Sequence, residues 1–138
     1  MTCTFRNATM DDIAIVLKNS TENGKVDEEI ISDSSEIRVM TCDGEPIMVI
    51  GCVTYDRDDL TDVLGVWGIF SKEIKKHTRE AVTFCKDLIF DRVGTKFIVL
   101  IDERQPVFKR FVEFFGFQRT KVVEEKNGMV YHVYVKEN

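Results

Sequence analysis

The stretch from Asp62 to Phe117 constrains the fold more than any other, because apolar strands alternate there with helices. Asp62-Val-Leu-Gly-Val-Trp-Gly-Ile-Phe70 reads as a strand, and Ser71-Lys-Glu-Ile-Lys-Lys-His-Thr-Arg79 turns it into a helix expected to run to about Val93. Lys96-Phe-Ile-Val-Leu-Ile101 follows without a polar side, the pattern of a central strand covered on both faces. Asp102-Glu-Arg-Gln-Pro106 then opens a short helix, with proline near its first position, and Gly116 is placed to end it. Strand, helix, strand in this order is a crossover unit and is right-handed almost without exception. Ligands of open α/β sheets bind beyond the carboxyl ends of the strands, so any chemistry is expected where these two strands end and the long helix begins.

The flanks supply antiparallel partners. Thr4 to Ala8 can form a first strand, and Thr9-Met-Asp-Asp12 has the form of a capping box, so a helix should start at Met10 with Ile13, Val16 and Leu17 as its apolar stripe. Asn19 to Gly24 breaks it, Lys25 to Ile31 is expected as a short second helix, and Ser32 to Ser35 as a turn. Glu36 to Thr41 alternates in polarity, Asp43-Gly44 signals a hairpin, and Pro46 to Tyr55 is the returning strand. Gly51 within it suggests a bulge or the close approach of another backbone. Asp56 to Asp59 is a polar turn, and Phe117 to Glu125 and Met129 to Lys136 are strands joined by Asn127-Gly128. The order β-α-α-β-β-β-α-β-α-β-β describes an α/β chain of the α+β kind, with a seven-stranded mixed sheet and about four helices.

At 138 residues, with 43% apolar and 31% charged, the chain is one domain with a sizeable core. The net charge of -5 argues against general nucleic-acid binding or an anionic membrane surface. No apolar run reaches the roughly 20 residues of a membrane span, and Met1-Thr-Cys-Thr-Phe-Arg6 carries no signal-peptide core, so a cytoplasmic location is expected. Cys3, Cys42, Cys52 and Cys85 show no paired spacing and read as buried free thiols. His77 and His132 are far apart and no metal-ligand spacing is present, which speaks against a metal site or a Cys-His nucleophile.

The element order, together with Arg6-Asn-Ala-Thr-Met-Asp-Asp12 and the block from Phe97 to Phe115-Gly-Phe117, resembles the GCN5-related N-acetyltransferase (GNAT) superfamily over nearly the whole chain. The resemblance implies a fourth and fifth strand that splay apart, acetyl-CoA in the opening, and an amine that attacks its thioester. Within that likeness the chain also resembles small GNAT-like proteins of short-tailed bacteriophages, by its compact length, its glycine-poor basic turn and its phenylalanine-rich last helix. Some of those proteins serve inside the virion or in its assembly. This likeness implies virion or host proteins as alternative partners, and the host cytoplasm or the virion as the location.

By the same resemblance, the coenzyme's phosphates fall to the turn before the long helix, where free backbone N–H groups and the positive helix end favour an anion. The matching window, Ile74 to Arg79, contains no glycine. It offers charge instead, and Lys75, Lys76, His77, Thr78 and Arg79 become the candidates for phosphate contact, with a solvated basic helix face as the plain alternative. Trp67, Ile69 and Phe70, at the end of the fourth strand, are candidates for lining or pairing with the pantetheine arm; Trp67 is equally suited to the core, since Phe84 and Leu88 need packing partners. Gln105 stands where the family's asparagine is familiar, and Val112 where its tyrosine acid would be. Glu103 or Asp102 is the candidate base, against the plainer role of favouring the next helix's N-terminus by charge. His132 reads as structural. Two functions follow: an N-acetyltransferase acting on an amine acceptor, or a non-catalytic GNAT-fold binding protein.

Overall fold

The computed structural model describes residues 2–20, 28–55, 62–126 and 128–137. Its strands are β1 (Cys3–Asn7), β2 (Glu36–Cys42), β3 (Glu45–Tyr55), β4 (Asp62–Phe70), β5 (Thr95–Ile101), β6 (Gln118–Lys126) and β7 (Met129–Glu137). The helices are α1 (Met10–Lys18), α2 (Glu28–Asp33), α3 (Thr78–Cys85) and α4 (Pro106–Phe114). The sheet runs β1-β2-β3-β4-β5-β7-β6; β4 and β5 are parallel and every other neighbouring pair is antiparallel. The expected element order and mixed sheet are therefore present.

Period-two alternation divides the core between the two faces. On one face Met40, Met48, Ile50, Phe70, Phe97 and Val99 pack with Cys85 and Ile89 behind α3 and with Phe108 and Val112 of α4. On the other, Val39, Val49, Trp67 and Ile69 receive Ile13 and Val16 of α1. β5 departs from the expectation of equal cover: Thr95, Phe97, Val99 and Ile101 are buried, while Lys96, Ile98 and Leu100 stay half-buried. In β7 the most buried ring, Tyr134, lies on the face opposite to that of Met129, Tyr131, Val133 and Val135. His132 approaches Arg119 across the last hairpin, Nδ1 lying 2.9 Å from the guanidinium.

The first helix begins where the sequence places it. Thr9 accepts the Asp12 N–H through its side chain at 3.2 Å, and Asp12 accepts the Thr9 N–H at 2.8 Å, closing the capping box. Arg6 grips both oxygens of Asp12, at 2.7 and 3.0 Å, so the arginine and aspartate of the opening motif tie β1 to the start of α1. The guanidinium hydrogen bonds pull the Asp12 carboxyl down to about 2, against some opposing desolvation.

Four local expectations are corrected. The helix expected to run from the basic turn to Val93 is three pieces: a 3-10 turn (Lys72–Lys76), α3, and a π-helical turn (Lys86–Phe90), with His77 outside helical geometry between the first two. The second helix, expected over Lys25 to Ile31, continues through Asp33, so the expected turn at Ser32 is helical; residues 25–27 lie outside the described residues. Gly51 marks neither a bulge nor a neighbouring backbone. It sits opposite Trp67 in unbroken register, and a Cβ built on it would overlap the indole, which lies flat across it. Phe84 packs on Phe5, ring centroids 5.2 Å apart, and not on Trp67. The Asp43-Gly44 hairpin forms with both residues at positive φ, 51° and 82°. The expected turn at Asp56 to Asp59, and Asn127 of the last hairpin, lie outside the described residues.

Two substitutions check this account. Asp12→Asn is expected to cost about 1–2 kcal/mol at neutral pH, from the lost cap and charged hydrogen bonds. Because the folded-state carboxyl is depressed, that contribution is complete above the ordinary carboxylate range and is lost as pH falls toward 2, so urea titrations of the two proteins should converge in acid. Gly51→Ala is expected to cost about 1–3 kcal/mol by overpacking against Trp67, measured as a lower urea midpoint at unchanged slope.

Candidate functional site

The sheet opens between β4 and β5. Their pairing runs Asp62–Thr95, Val63–Lys96, Leu64–Phe97 and Gly65–Ile98, and stops there. β4 continues along β3 until Phe70 lies opposite Met48, whereas β5 turns away along β7 until Ile101 lies opposite His132. The two strands part toward their carboxyl ends. The Ser71 N–H donates to the Ile47 carbonyl at 2.8 Å, on the β3 side. Since backbone direction alternates along a strand, the peptide groups of Ile69 and Trp67 also face β3, and those of Val66, Gly68 and Phe70 face the opening. Phe108 of α4 borders it, its ring 5.7 Å from that of Phe70 and within 3.4 Å of where a Cβ on Gly68 would stand.

This geometry sorts the strand-end candidates. Phe70 presents backbone to the opening. Trp67 and Ile69 do not: their side chains belong to the core beneath α1, and the Trp67 indole N–H donates to Ser34 Oγ at 2.8 Å.

Beyond Phe70, Ser71 caps the 3-10 turn by accepting the Glu73 N–H at 3.2 Å, and the Lys72 N–H reaches the Asn19 carbonyl at 2.9 Å. The chain leaving α1 is thereby fastened to the end of β4, and α3 starts at Thr78. Lys75, Thr78 and Arg79 are exposed around this start. Lys76 is exposed too, but its ammonium is paired with Glu73 at 2.8 Å. Thr78 Oγ1 donates back to the Ile74 carbonyl at 3.4 Å. His77 differs from the others: it is buried, and Nδ1 stands 3.8 Å from Cys3 Sγ.

At the carboxyl end of β5, Asp102 is buried and committed. One oxygen accepts the Arg104 N–H at 2.7 Å, the other lies 3.1 Å from the Arg104 guanidinium, and the Asp102 N–H donates to Gln105 Oε1 at 3.2 Å. These bonds close the loop before α4. Asp102 and Gln105 thus have structural partners here, whereas Glu103 is exposed at the same mouth. Val112, at the position of the family's tyrosine, is fully buried.

The reading of all four cysteines as free thiols is corrected. β1 and β2 pair with Cys3 directly opposite Cys42, Cα atoms 4.0 Å apart, and the two form a disulfide. Register across 39 residues of sequence is a property of the sheet and not of spacing, so the pairing could not be read from the chain. Cys52 and Cys85 are free and buried, and burial pushes the Cys52 thiol up to about 12 and the Cys85 thiol up as well. The disulfide lies beside His77, and the Cys3, Cys42 and His77 donor atoms are within 4.8 Å of one another.

No protein-family model matches the chain, and no characterised protein matches it in sequence. Solved structures do match its fold. A GNAT-family acetyltransferase from Streptococcus agalactiae superimposes with a TM-score of 0.71 at 18% identity, over 99% of this chain and 95% of that one. Arabidopsis thaliana Naa50, in complex with the bisubstrate analogue CoA-Ac-MVNAL, gives a TM-score of 0.71 at 8% identity over 100% of both chains. The aminoglycoside acetyltransferase AAC(6')-Ib in complex with coenzyme A gives 0.66 at 17% identity, over 99% of this chain and 95% of that one. The fold is the one these acetyltransferases have.

The thiol assignment is open to direct measurement. Without reductant, the folded protein should yield no thiol to an aqueous thiol reagent; after mild reduction Cys3 and Cys42 should react first, with Cys52 and Cys85 following only on unfolding. Reduction should also lower stability, by about 4 kcal/mol at most on the chain-entropy account of a loop this long.

Proposed function

We propose that this protein is an N-acetyltransferase that uses acetyl-CoA to acetylate an amine. The observation that carries this reading is the early end of the β4–β5 pairing, which leaves the peptide groups of Val66, Gly68 and Phe70 turned to an opening between buried strands. Buried peptide groups without a partner are costly, and an amide-bearing chain such as pantetheine supplies matching donors and acceptors along a strand edge. Acetyl-CoA brings an activated acetyl thioester to that edge. The fit at the phosphate end is partial. The start of α3 offers N–H groups and the exposed cations Lys75 and Arg79, while side chains occupy the window where the family has glycines.

The chain's own contribution to the chemistry is then positioning and proton removal. Strand-edge N–H groups orient the reacting carbonyl and stabilise negative charge developing on its oxygen. Glu103 is the carboxylate at the mouth of β5 without an ion-pair partner among the described residues, and it takes the proton of the incoming ammonium directly or through water. Asp102 holds the loop through Arg104 and so positions Glu103. With Val112 buried at the tyrosine position, the leaving thiolate takes its proton from solvent. The net charge of -5 favours a cationic amine as acceptor.

That same buried Val112, with the glycine-free turn, favours a second reading, in which the fold is retained for binding alone. The likeness to small phage proteins belongs with it, and with it the virion or a host protein as partner.

Calorimetry separates the two. Acetyl-CoA and CoA should bind with micromolar affinity, and Lys75→Ala/Lys76→Ala/Arg79→Ala should weaken both by about tenfold, or ~1.4 kcal/mol. Wild-type affinity in the triple variant would sink the side-chain phosphate contacts; no binding at millimolar concentration would sink the acetyltransferase reading itself.

A further inference from the structure

Three residues distant in sequence meet where β1, β2 and the start of α3 converge. Strand pairing sets Cys3 opposite Cys42. His77 is brought to them by its place between the 3-10 turn and α3: its N–H donates to the Ile74 carbonyl at 2.9 Å, its own carbonyl accepts the Ala81 N–H at 3.0 Å, and the ring turns inward. The two sulfurs and a ring nitrogen lie within 4.8 Å of one another.

We propose that, once its disulfide is reduced, the Cys3–Cys42–His77 cluster binds a thiophilic divalent cation of the zinc type. A tetrahedral ion with sulfur at about 2.3 Å and nitrogen at about 2.0–2.1 Å sets its sulfur and nitrogen ligands about 3.5–3.6 Å apart. Cys3 Sγ and His77 Nδ1 already stand at 3.8 Å. The two sulfurs must part to about 3.7–3.8 Å, which the cross-strand pair permits by side-chain rotation once the bond is open. Opening it takes two electrons and two protons and gives two thiols: a dithiol supplies both and is oxidised to its disulfide, whereas a phosphine supplies the electron pair and is oxidised to the phosphine oxide by water, which supplies the oxygen and the two protons. Binding M²⁺ then releases those two protons and forms two metal–thiolate bonds, whose charge the cation neutralises. Two thiolates and an imidazole without a carboxylate select a borderline or soft ion over magnesium or calcium. Three protein ligands leave the fourth position to water. The site would clasp β1, β2 and the start of α3 together, as the disulfide clasps only the two strands. Cys52 and Cys85 do not compete, since burial holds both as neutral thiols.

The proposal is independent of acetyl-CoA binding and is tested without it. Protein reduced by a phosphine, then freed of it under nitrogen, is titrated with Co²⁺ and with Cd²⁺, following thiolate-to-metal charge-transfer absorption. Saturation at one ion per chain is expected in the reduced protein and no band in the disulfide form. His77→Gln should weaken binding about tenfold or more, and Cys3→Ser/Cys42→Ser should abolish the band, with circular dichroism confirming that each variant is folded. On the wild type alone, Zn²⁺ should slow alkylation of Cys3 and Cys42 in the reduced protein, read residue by residue by mass spectrometry. No band at equivalent metal, a band that survives in the double variant, full affinity in His77→Gln, or alkylation indifferent to Zn²⁺ would each overturn the assignment.

Discussion

Most of what is distinctive in this molecule depends on how short the contact between β4 and β5 is. β4 is held to β3 from Tyr55 opposite Val63 through Met48 opposite Phe70, but to β5 only as far as Gly65 opposite Ile98. β5 is drawn off by β7, which stays paired with it through Ile101. A sheet that divided this way without compensation would leave peptide groups stranded in a dry interior, so the division is tolerable only where water or a ligand can reach the gap. The fold thereby leaves an edge of β4 unpaired before any side chain is considered. Beside the gap the packing is tight: the missing side chain of Gly68 makes room for Ile50 and Phe108, and Phe108 and Phe111 close around Phe70.

Much of this architecture is legible in the sequence because it is written in short-range chemistry. The capping box at Thr9 and Asp12, the Asp43-Gly44 turn and the unbroken apolar run from Phe97 to Ile101 each act within a few residues, and each forms where it is expected. What is illegible is set by register. Whether Trp67 faces α1 or α3 depends on which residues of β3 lie opposite, and Gly51 decides it by leaving room for the indole. The Cys3–Cys42 pair is illegible for the same reason. The breaks in the long helix are hidden differently: Lys72 to Phe90 has sound helical periodicity, and it is the tether of Lys72 to Asn19 and the inward turn of His77 that impose a 3-10 start.

The candidate site was legible in outline and not in its assignments. The sequence points to the ends of β4 and β5 and to the basic turn; β4 and β5 do part toward their carboxyl ends, and the basic turn follows β4 directly. The sequence could not show that Asp102 is occupied by Arg104 and Gln105, because the loop that joins them is closed by side-chain acceptors and not by spacing. Nor could it separate Lys75 and Arg79 from Lys76, whose charge is already partnered by Glu73. Exposure and prior engagement, both properties of the folded chain, reduce a run of five candidates to a smaller set free to meet an anion.

His77 is where the two parts of the molecule join. A residue at the start of α3 would ordinarily present its side chain outward, toward whatever the helix terminus faces; this one is buried against Cys3 and so spends its ring on the amino-terminal strand. The consequence is mechanical as well as chemical. Through His77 the start of α3 rests on β1, whose position is fixed by Cys42. A change of state at the cysteine pair therefore bears on the geometry of the helix terminus by direct packing over two contacts, with no long relay of coupled residues needed. The glycine-free turn is held by side chains instead: Ser71 caps its start, Lys76 pairs with Glu73, and His77 packs on Cys3.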